Sequence, residues 1–180
     1  FLEDARTLGL KVALEERADR HFLCSSAEFA RWAQGRREFR LEHFYRHLRR
    51  THDVLMEGDQ PVGGRWNFDA ENRKGFDARG PGLLPAPRRF EADAITTEVL
   101  ALVRHHYSTH PGELAQFDWP VTPEQAEQAL QDFIDHRLAA FGRYQDAMWT
   151  NEPWLYHSRL SAALNLKLLH PRRAIEAAVA

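Results

Sequence analysis

The sequence predicts a mainly α-helical chain in which the tail of an α/β domain is followed by a linker and the start of an all-helical domain. Three observations support this fold class. Sheet-forming sequence occurs only near the N-terminus, a stretch rich in Gly and Pro follows it, and amphipathic helical patterns fill the rest. We expect the α/β tail at residues 1–74, the linker at 75–93 and the helical domain at 94–180.

The α/β tail begins with one short helix and one strand. Residues 3–10 predict a helix that ends at Gly9, because glycine commonly follows the last helical residue. Residues 11–16 place Val12 and Leu14 on one face and predict a strand.

Two further helices complete the predicted tail. Ser25 or Ser26 is a candidate N-cap for a helix through Trp32, with Glu28 in its first turn. Residues 39–51 predict the second helix. Its expected apolar face consists of Leu41, Phe44, Tyr45 and Leu48.

The predicted linker is defined by its Gly and Pro residues. The runs Gly80-Pro-Gly82 and Pro85-Ala-Pro87 cannot continue a helix and favour an extended chain.

The helical domain carries four predicted helices. The apolar face expected for the first is Ile95, Val99, Leu102, Val103 and His106. The second opens with a capping box from Thr122 to Gln125. Its expected core face is Ala126, Leu130, Phe133, Ile134, Leu138 and Phe141. A short, nearly all-apolar helix is expected from Ser158, and Pro171 opens the last one.

Composition limits the class of protein. The chain is 43% hydrophobic and 28% charged, which is typical of soluble globular proteins. No apolar run reaches the roughly 20 residues of a membrane helix. With Cys24 as the single cysteine, the chain holds no internal disulfide and no thiolate cluster. A single cysteine favours a reducing compartment, so we expect a cytoplasmic protein without a membrane partner.

Arginine supplies nearly all of the positive charge, since the chain has three lysines among 24 basic residues. Arginine suits bidentate phosphate contacts. Genomic base composition explains the same enrichment equally well, and the sequence leaves both explanations open.

Histidine clusters and other reactive groups favour structural roles. His43 and His47 lie one turn apart but are surrounded by arginines, which predicts a solvated basic face and no metal site. In the cluster of His105, His106 and His110, we expect His106 at the edge of the core. Cys24 is expected to be a small buried residue.

No catalytic residue can be assigned from the sequence. No Ser/His/Asp triad or carboxylate pair indicates a hydrolase. Trp149 and Trp154 are open to two interpretations, as electron-transfer residues or as part of the core or its rim.

A set of spaced motifs resembles the flavin-domain entrance of photolyases. Tyr144 is followed thirteen residues later by His157-Ser-Arg-Leu-Ser161, and Pro171-Arg172 follows. The family pattern has threonine and a final proline where this chain has His157 and Ala162. Six segments resemble the bacterial photolyase- and cryptochrome-related branch that carries an iron–sulfur cluster. They are residues 22–25, 44–46, 63–69, 71–74, 144–148 and 155–166.

The resemblance implies FAD in the helical domain and a lumazine-type antenna chromophore in a nucleotide-fold α/β domain. It also implies an iron–sulfur cluster whose cysteine ligands follow Ala180. The site residues carried over for the FAD phosphates are Tyr144, His157, Ser158, Leu160 and Ser161. A helix N-terminus with serine hydroxyls would suit a diphosphate, although Ser-x-x-Ser at a helix start is commonly only a cap. Arg159 is not assigned, because its family counterpart varies.

The activity that the resemblance implies is light-driven repair of pyrimidine photoproducts in damaged DNA by a photolyase (a lyase). We expect the (6-4) type of photoproduct, with the damaged base flipped out of the duplex. The isolated chain is expected to be inactive. Two alternatives stay open: a blue-light signalling cryptochrome with the same flavin, and a flavin-free structural or binding module.

Overall fold

The computed structural model describes Gly9, Glu15 and residues 17–180. The predicted helix at 3–10 and strand at 11–16 lie almost entirely outside the described residues. The described part contains seven α-helices and one two-stranded sheet, which confirms a mainly α-helical chain. The chain divides into two compact units, Phe1–Glu38 and Phe39–Ala180. The domain boundaries after residues 74 and 93 stay predictions.

The first unit contains helix α1, Ser26–Ala33. Its N-terminus confirms the expected cap, because the Ser25 hydroxyl accepts from the Glu28 backbone N–H and the Glu28 carboxylate accepts from the Ser25 N–H. Trp32 is its buried residue, and the guanidinium of Arg36 lies 4.5 Å from the Trp32 ring centroid.

The second unit begins with helix α2, Leu41–His52. It is followed by an antiparallel pair, β1 (Met56–Glu57) and β2 (Gln60–Pro61), and by a 3-10 turn at Val62–Gly64. In this pair Met56 lies opposite Pro61.

The apolar face predicted for α2 is wrong at two positions. Leu41 is 82% exposed and Tyr45 is 43% exposed, whereas Arg49 is buried. Arg49 donates to the carbonyls of Val54 and Leu55 in the turn that follows α2. The Leu55 carbonyl also accepts from the Val62 N–H over 2.9 Å, so the guanidinium adds a second donor there and supplies the donor for the Val54 carbonyl, which an apolar side chain could not do.

The remaining five helices of this unit are α3 (Ala94–His106), α4 (Pro123–His136), α5 (Leu138–Tyr144), α6 (Ser161–Asn165) and α7 (Pro171–Val179). The buried residues of one apolar cluster hold α4 and α6 together: Ala126, Leu130, Phe133, Leu160, Ala163 and Leu169. Ile134, Leu138 and Phe141 pack against this cluster, so the predicted core face is confirmed.

The single helix predicted from residue 122 to residue 141 is broken at Arg137, whose φ of −129° and ψ of −32° interrupt the helical run. Arg137 is 2% exposed, donates to Asp132 Oδ2 over 2.8 Å and also donates to the Pro85 carbonyl. The prediction failed because the acceptor at Pro85 lies 52 positions away in the sequence.

The helix predicted from Ser158 begins at Ser161, with Leu160 as its N-cap residue. The Ser158 hydroxyl instead accepts from the Leu160 backbone N–H over 3.4 Å. Residues 158–160 therefore form a turn, because Arg159 has a positive φ of 57° that a helix cannot contain.

Helix α3 turns its predicted apolar face outward. Ile95, Val99 and Leu102 are 72%, 51% and 54% exposed, and Thr96 is the buried residue. His106 is exposed, so its predicted place at the core edge is wrong.

Residues 75–93 contain no helix and no strand, as an extended linker predicts. The segment is nevertheless anchored. The Tyr156 hydroxyl donates to the Pro81 carbonyl over 3.0 Å, and Phe90 is 8% exposed. Among the described residues, no helix has the length and apolar character that a membrane span requires.

Candidate functional site

Three stacked aromatic rings mark the place where α5 ends. Tyr144, the last residue of α5, stacks on Tyr156 with ring centroids 5.2 Å apart and an interplanar angle of 23°. Phe76 stacks on Tyr144 at 4.7 Å and lies 6.2 Å from Tyr156. Trp149 meets Phe76 edge-on at 6.1 Å. Offset stacks of this kind favour a fixed mutual orientation of the rings.

This stack places Tyr144 beside the start of the segment 157–161, which we call the motif turn. Tyr156 immediately precedes His157, and the His157 N–H donates to the Trp154 carbonyl over 3.0 Å. The motif turn thus begins next to the ring on which Tyr144 is stacked. Two residues separated by thirteen positions in the sequence are brought to the same edge of the fold.

The five predicted site residues differ in exposure. His157 and Ser161 are exposed, and Tyr144 and Ser158 are half-buried. Leu160 is 6% exposed and belongs to the apolar cluster, so its side chain fixes the turn to the core. The exposed and half-buried members carry hydroxyl and imidazole groups, which can donate to an anion.

The structure does not support binding of a diphosphate by a helix N-terminus at this site. Helix α6 has five residues, and its N-cap residue Leu160 makes no side-chain cap hydrogen bond. Because such a short helix has little macrodipole, any affinity for an anion must come from the side chains and amides of the motif turn.

The Arg159 guanidinium contacts the rings of Trp119 and Trp154, which meet each other edge-on at 6.3 Å, and it pairs with Asp118; we call this set of contacts the clamp. The guanidinium carbon lies 4.4 Å from the Trp119 ring centroid and 4.0 Å from that of Trp154. Nη2 donates to Asp118 Oδ1 over 3.1 Å, and 11% of the Arg159 side chain is exposed. Arg89 also contacts Asp118, with Nε 3.3 Å from Oδ2.

Sequence reasoning missed the clamp because no local pattern encodes it. Asp118 and Trp119 lie about 40 positions before Arg159. Trp154 was recognised as a neighbour of the predicted site, and with 38% of its surface exposed it lies at the rim of the fold. Trp149 is 39% exposed and lies at the rim as well.

Two cavities lie beside the clamp. His157 and Ser158 line a small one of about 20 Å³ together with Arg137 and Phe133, which is room for about one water molecule. A larger one of about 180 Å³ is bordered by Trp154.

Groups weighed as metal ligands are not assembled into a centre. Among the residues that the structure describes, no three His, Cys, Asp or Glu side chains are placed to hold a metal ion. His43 is exposed, as a solvated face predicts. Cys24 is half-buried where full burial was predicted, and burial, with a smaller contribution from Glu28, raises the pKa of its thiol.

Comparison with known proteins gives two findings. Residues 2–119 match the model of a family described as deoxyribodipyrimidine photo-lyase-related protein. The chain is also 47% identical over 165 residues to a (6-4) photolyase of Agrobacterium fabrum. That alignment covers 92% of this chain and 32% of the relative, so the chain spans about a third of the length of the protein it matches.

Proposed function

Because the chain belongs to the deoxyribodipyrimidine photo-lyase-related protein family, we propose that it is part of a light-dependent FAD flavoprotein that repairs (6-4) pyrimidine photoproducts in DNA. Family membership supports a photolyase-like role in DNA repair. The name of the Agrobacterium fabrum relative supports the (6-4) type. The observation that carries the proposal is the stack of Tyr144 on Tyr156 at the start of the motif turn.

The residues around the motif turn fit one end of an FAD molecule. A diphosphate needs hydrogen-bond donors at a solvent-accessible edge, and Ser161, His157 and the Tyr144 phenol offer such donors there. Ser158 accepts from the Leu160 N–H, which leaves its own hydroxyl proton available for a phosphate oxygen. Leu160 holds the turn to the core.

When bound, reduced and photoexcited FAD would supply the electron that splits the lesion. The role that we assign to this chain is to bind the cofactor, which precedes the electron transfer. Tyr144, His157, Ser158 and Ser161 bind and orient the cofactor's phosphates, and Leu160 fixes the backbone that presents them. We assign no catalytic residue to this chain. A lumazine-type antenna and an iron–sulfur cluster, with damaged DNA as partner, belong to the proposal for the full-length protein.

A binding measurement tests the cofactor site. In the full-length protein, Ser158→Ala combined with Ser161→Ala should weaken FAD binding at least tenfold, because each lost hydrogen bond to a charged group costs about 1.5–3 kcal/mol. Ser108→Ala, at an exposed serine in the turn after α3, is the matched control. Tyr144→Phe removes the phenol but keeps the stack and should weaken binding less. Unchanged flavin content in the double variant would remove the site assignment.

Two further measurements separate the proposal from its alternatives. Visible flavin absorption in the purified full-length protein distinguishes a flavoprotein from a flavin-free structural module. Repair of an oligonucleotide bearing a (6-4) lesion under blue light distinguishes a photolyase from a signalling cryptochrome. Flavin without repair would favour the cryptochrome.

A further inference from the structure

We propose that Arg159 is a positioning residue that holds the motif turn in its ligand-binding conformation before FAD arrives. The inference rests on the function proposed above, since it concerns the same turn. It assigns a role to a side chain that contacts two indoles and a carboxylate and is itself almost removed from solvent.

The backbone at Arg159 needs an external restraint. Its φ of 57° lies in the left-handed region, where the Cβ of a non-glycine residue is crowded by the following carbonyl. Such a conformation persists where surrounding contacts determine it, and it is found disproportionately at ligand-binding segments. Leu155, four positions earlier, also has a positive φ, of 42°, so two strained residues shape the approach to the motif turn.

The clamp supplies that restraint from a distant part of the chain. Trp119 and Asp118 precede α4, and Trp154 lies between α5 and the motif turn. The guanidinium lies in the corner between the two indoles, whose rings are 6.3 Å apart and nearly perpendicular, and it also donates to Asp118. Among the described residues no acceptor contacts Arg159 Nε, which is buried.

The geometry explains why arginine is present. A planar, delocalised guanidinium can lie close to two aromatic rings and still donate to a carboxylate, whereas a lysine ammonium is a strongly hydrated point charge without flat faces. Preorganisation matters for binding, because a turn that is already ordered loses less conformational entropy when the ligand arrives. Arg159 therefore contributes to FAD affinity without touching the cofactor.

Hydrogen exchange in the flavin-free full-length protein tests the role directly. Arg159→Gly keeps a left-handed backbone accessible and removes the clamp, so amides at 157–161 should exchange about tenfold faster. Trp154→Leu should raise the same rates while leaving residue 159 intact. Asn151→Gly is the matched control, because Asn151 lies on the same connection with a φ of 65° but is exposed and unclamped. Amides of α4 should keep their rates in all three variants.

FAD affinity provides the second readout. Arg159→Gly and Trp154→Leu should each weaken FAD binding several-fold, and Arg159→Lys should recover part of the loss because it restores the charge. Unchanged exchange at 157–161, an equal rise in α4, or unchanged FAD affinity in Arg159→Gly would each overturn the positioning role. If FAD affinity resists Ser158→Ala with Ser161→Ala but falls with Arg159→Gly, the assignment of the phosphate ligands fails instead.

Discussion

Two buried arginines stabilise this chain in ways that an apolar residue could not. Arg49 ties the last turns of α2 to the turn that follows by donating to the carbonyls of Val54 and Leu55, and Arg137 joins α4 to Pro85 in the preceding segment. Burying a guanidinium costs free energy unless its donors are met. The Asp132 carboxylate and the Pro85 carbonyl accept hydrogen bonds from the two Nη atoms of Arg137. Its Nε has no hydrogen-bond partner among the described residues.

Loss of the Arg137 side chain should destabilise the fold strongly. Arg137→Ala removes the guanidinium from the half-buried Asp132 carboxylate, which keeps the Arg88 N–H and the nearby His136 ring, and breaking a buried pair costs about 3–5 kcal/mol. The free energy of unfolding, measured by chemical denaturation, should fall by that amount. Arg104→Ala, at an exposed arginine of α3, should change it little. A loss for Arg137→Ala no larger than for Arg104→Ala would contradict the prediction.

The Cys24 thiol should react slowly at neutral pH. Burial raises the pKa of this thiol, and the Glu28 carboxylate adds to the rise, so the thiolate fraction is small. The rate of alkylation by iodoacetamide at Cys24, followed by mass spectrometry of its peptide, should increase with pH with a midpoint above that of a free cysteine. A midpoint at or below that of free cysteine would refute this assignment.

At the scale of elements, two helix caps were predictable, whereas the faces of α2 and α3 were not. The caps at Ser25 and Thr122 are local, because each hydroxyl accepts from an N–H three positions on, and the sequence displays both partners together. Burial depends on what lies opposite. The break at Arg137 is set by its contact with the remote Pro85 carbonyl, which a periodic pattern does not contain.

At the candidate site, too, local features could be predicted from the sequence and contacts with remote segments could not. The motif identified Tyr144 and residues 157–161, and the structure brings them to one edge through the stack on Tyr156. The motif gave no indication of Phe76 or Trp119, because these two rings reach the site from separate segments of the chain. The assumed helix start at Ser158 was wrong, since local spacing alone cannot reveal a left-handed residue such as Arg159.

The N-cap of α3 should make its stability depend on pH. The Asp93 carboxylate accepts from the Thr96 N–H over 2.7 Å, and this hydrogen bond lowers the pKa of Asp93. A lowered folded-state pKa means that the stabilisation is complete above the ordinary aspartate pKa of about 4 and is lost as pH falls through the folded value. Asp93→Asn, which keeps a neutral cap, should show a smaller loss of helicity on acidification, measured by circular dichroism. Equal acid sensitivity in both proteins would rule out this role for Asp93.

At the scale of the whole molecule, the exposed apolar face of α3 is the feature least typical of a self-contained protein. Single exposed apolar residues are common, but Ile95, Val99 and Leu102 repeat at helical spacing on one face. The Agrobacterium fabrum relative is longer than this chain, and the alignment covers 32% of it. The 180-residue chain alone should therefore present this face to solvent and bind hydrophobic dyes.

Polar substitution of that face should reduce dye binding without unfolding the chain. In the 180-residue chain, Ile95→Gln combined with Leu102→Gln removes two side chains that are 72% and 54% exposed, so little packing is lost. Fluorescence of an anilinonaphthalene dye should fall, whereas helical content by circular dichroism should stay the same. Leu166→Gln, at a 70% exposed leucine just after α6, controls for the loss of an isolated apolar side chain and should reduce the fluorescence less. If the double variant loses helical content instead, the face of α3 is packed against other residues in solution, and its exposure here does not describe the free chain.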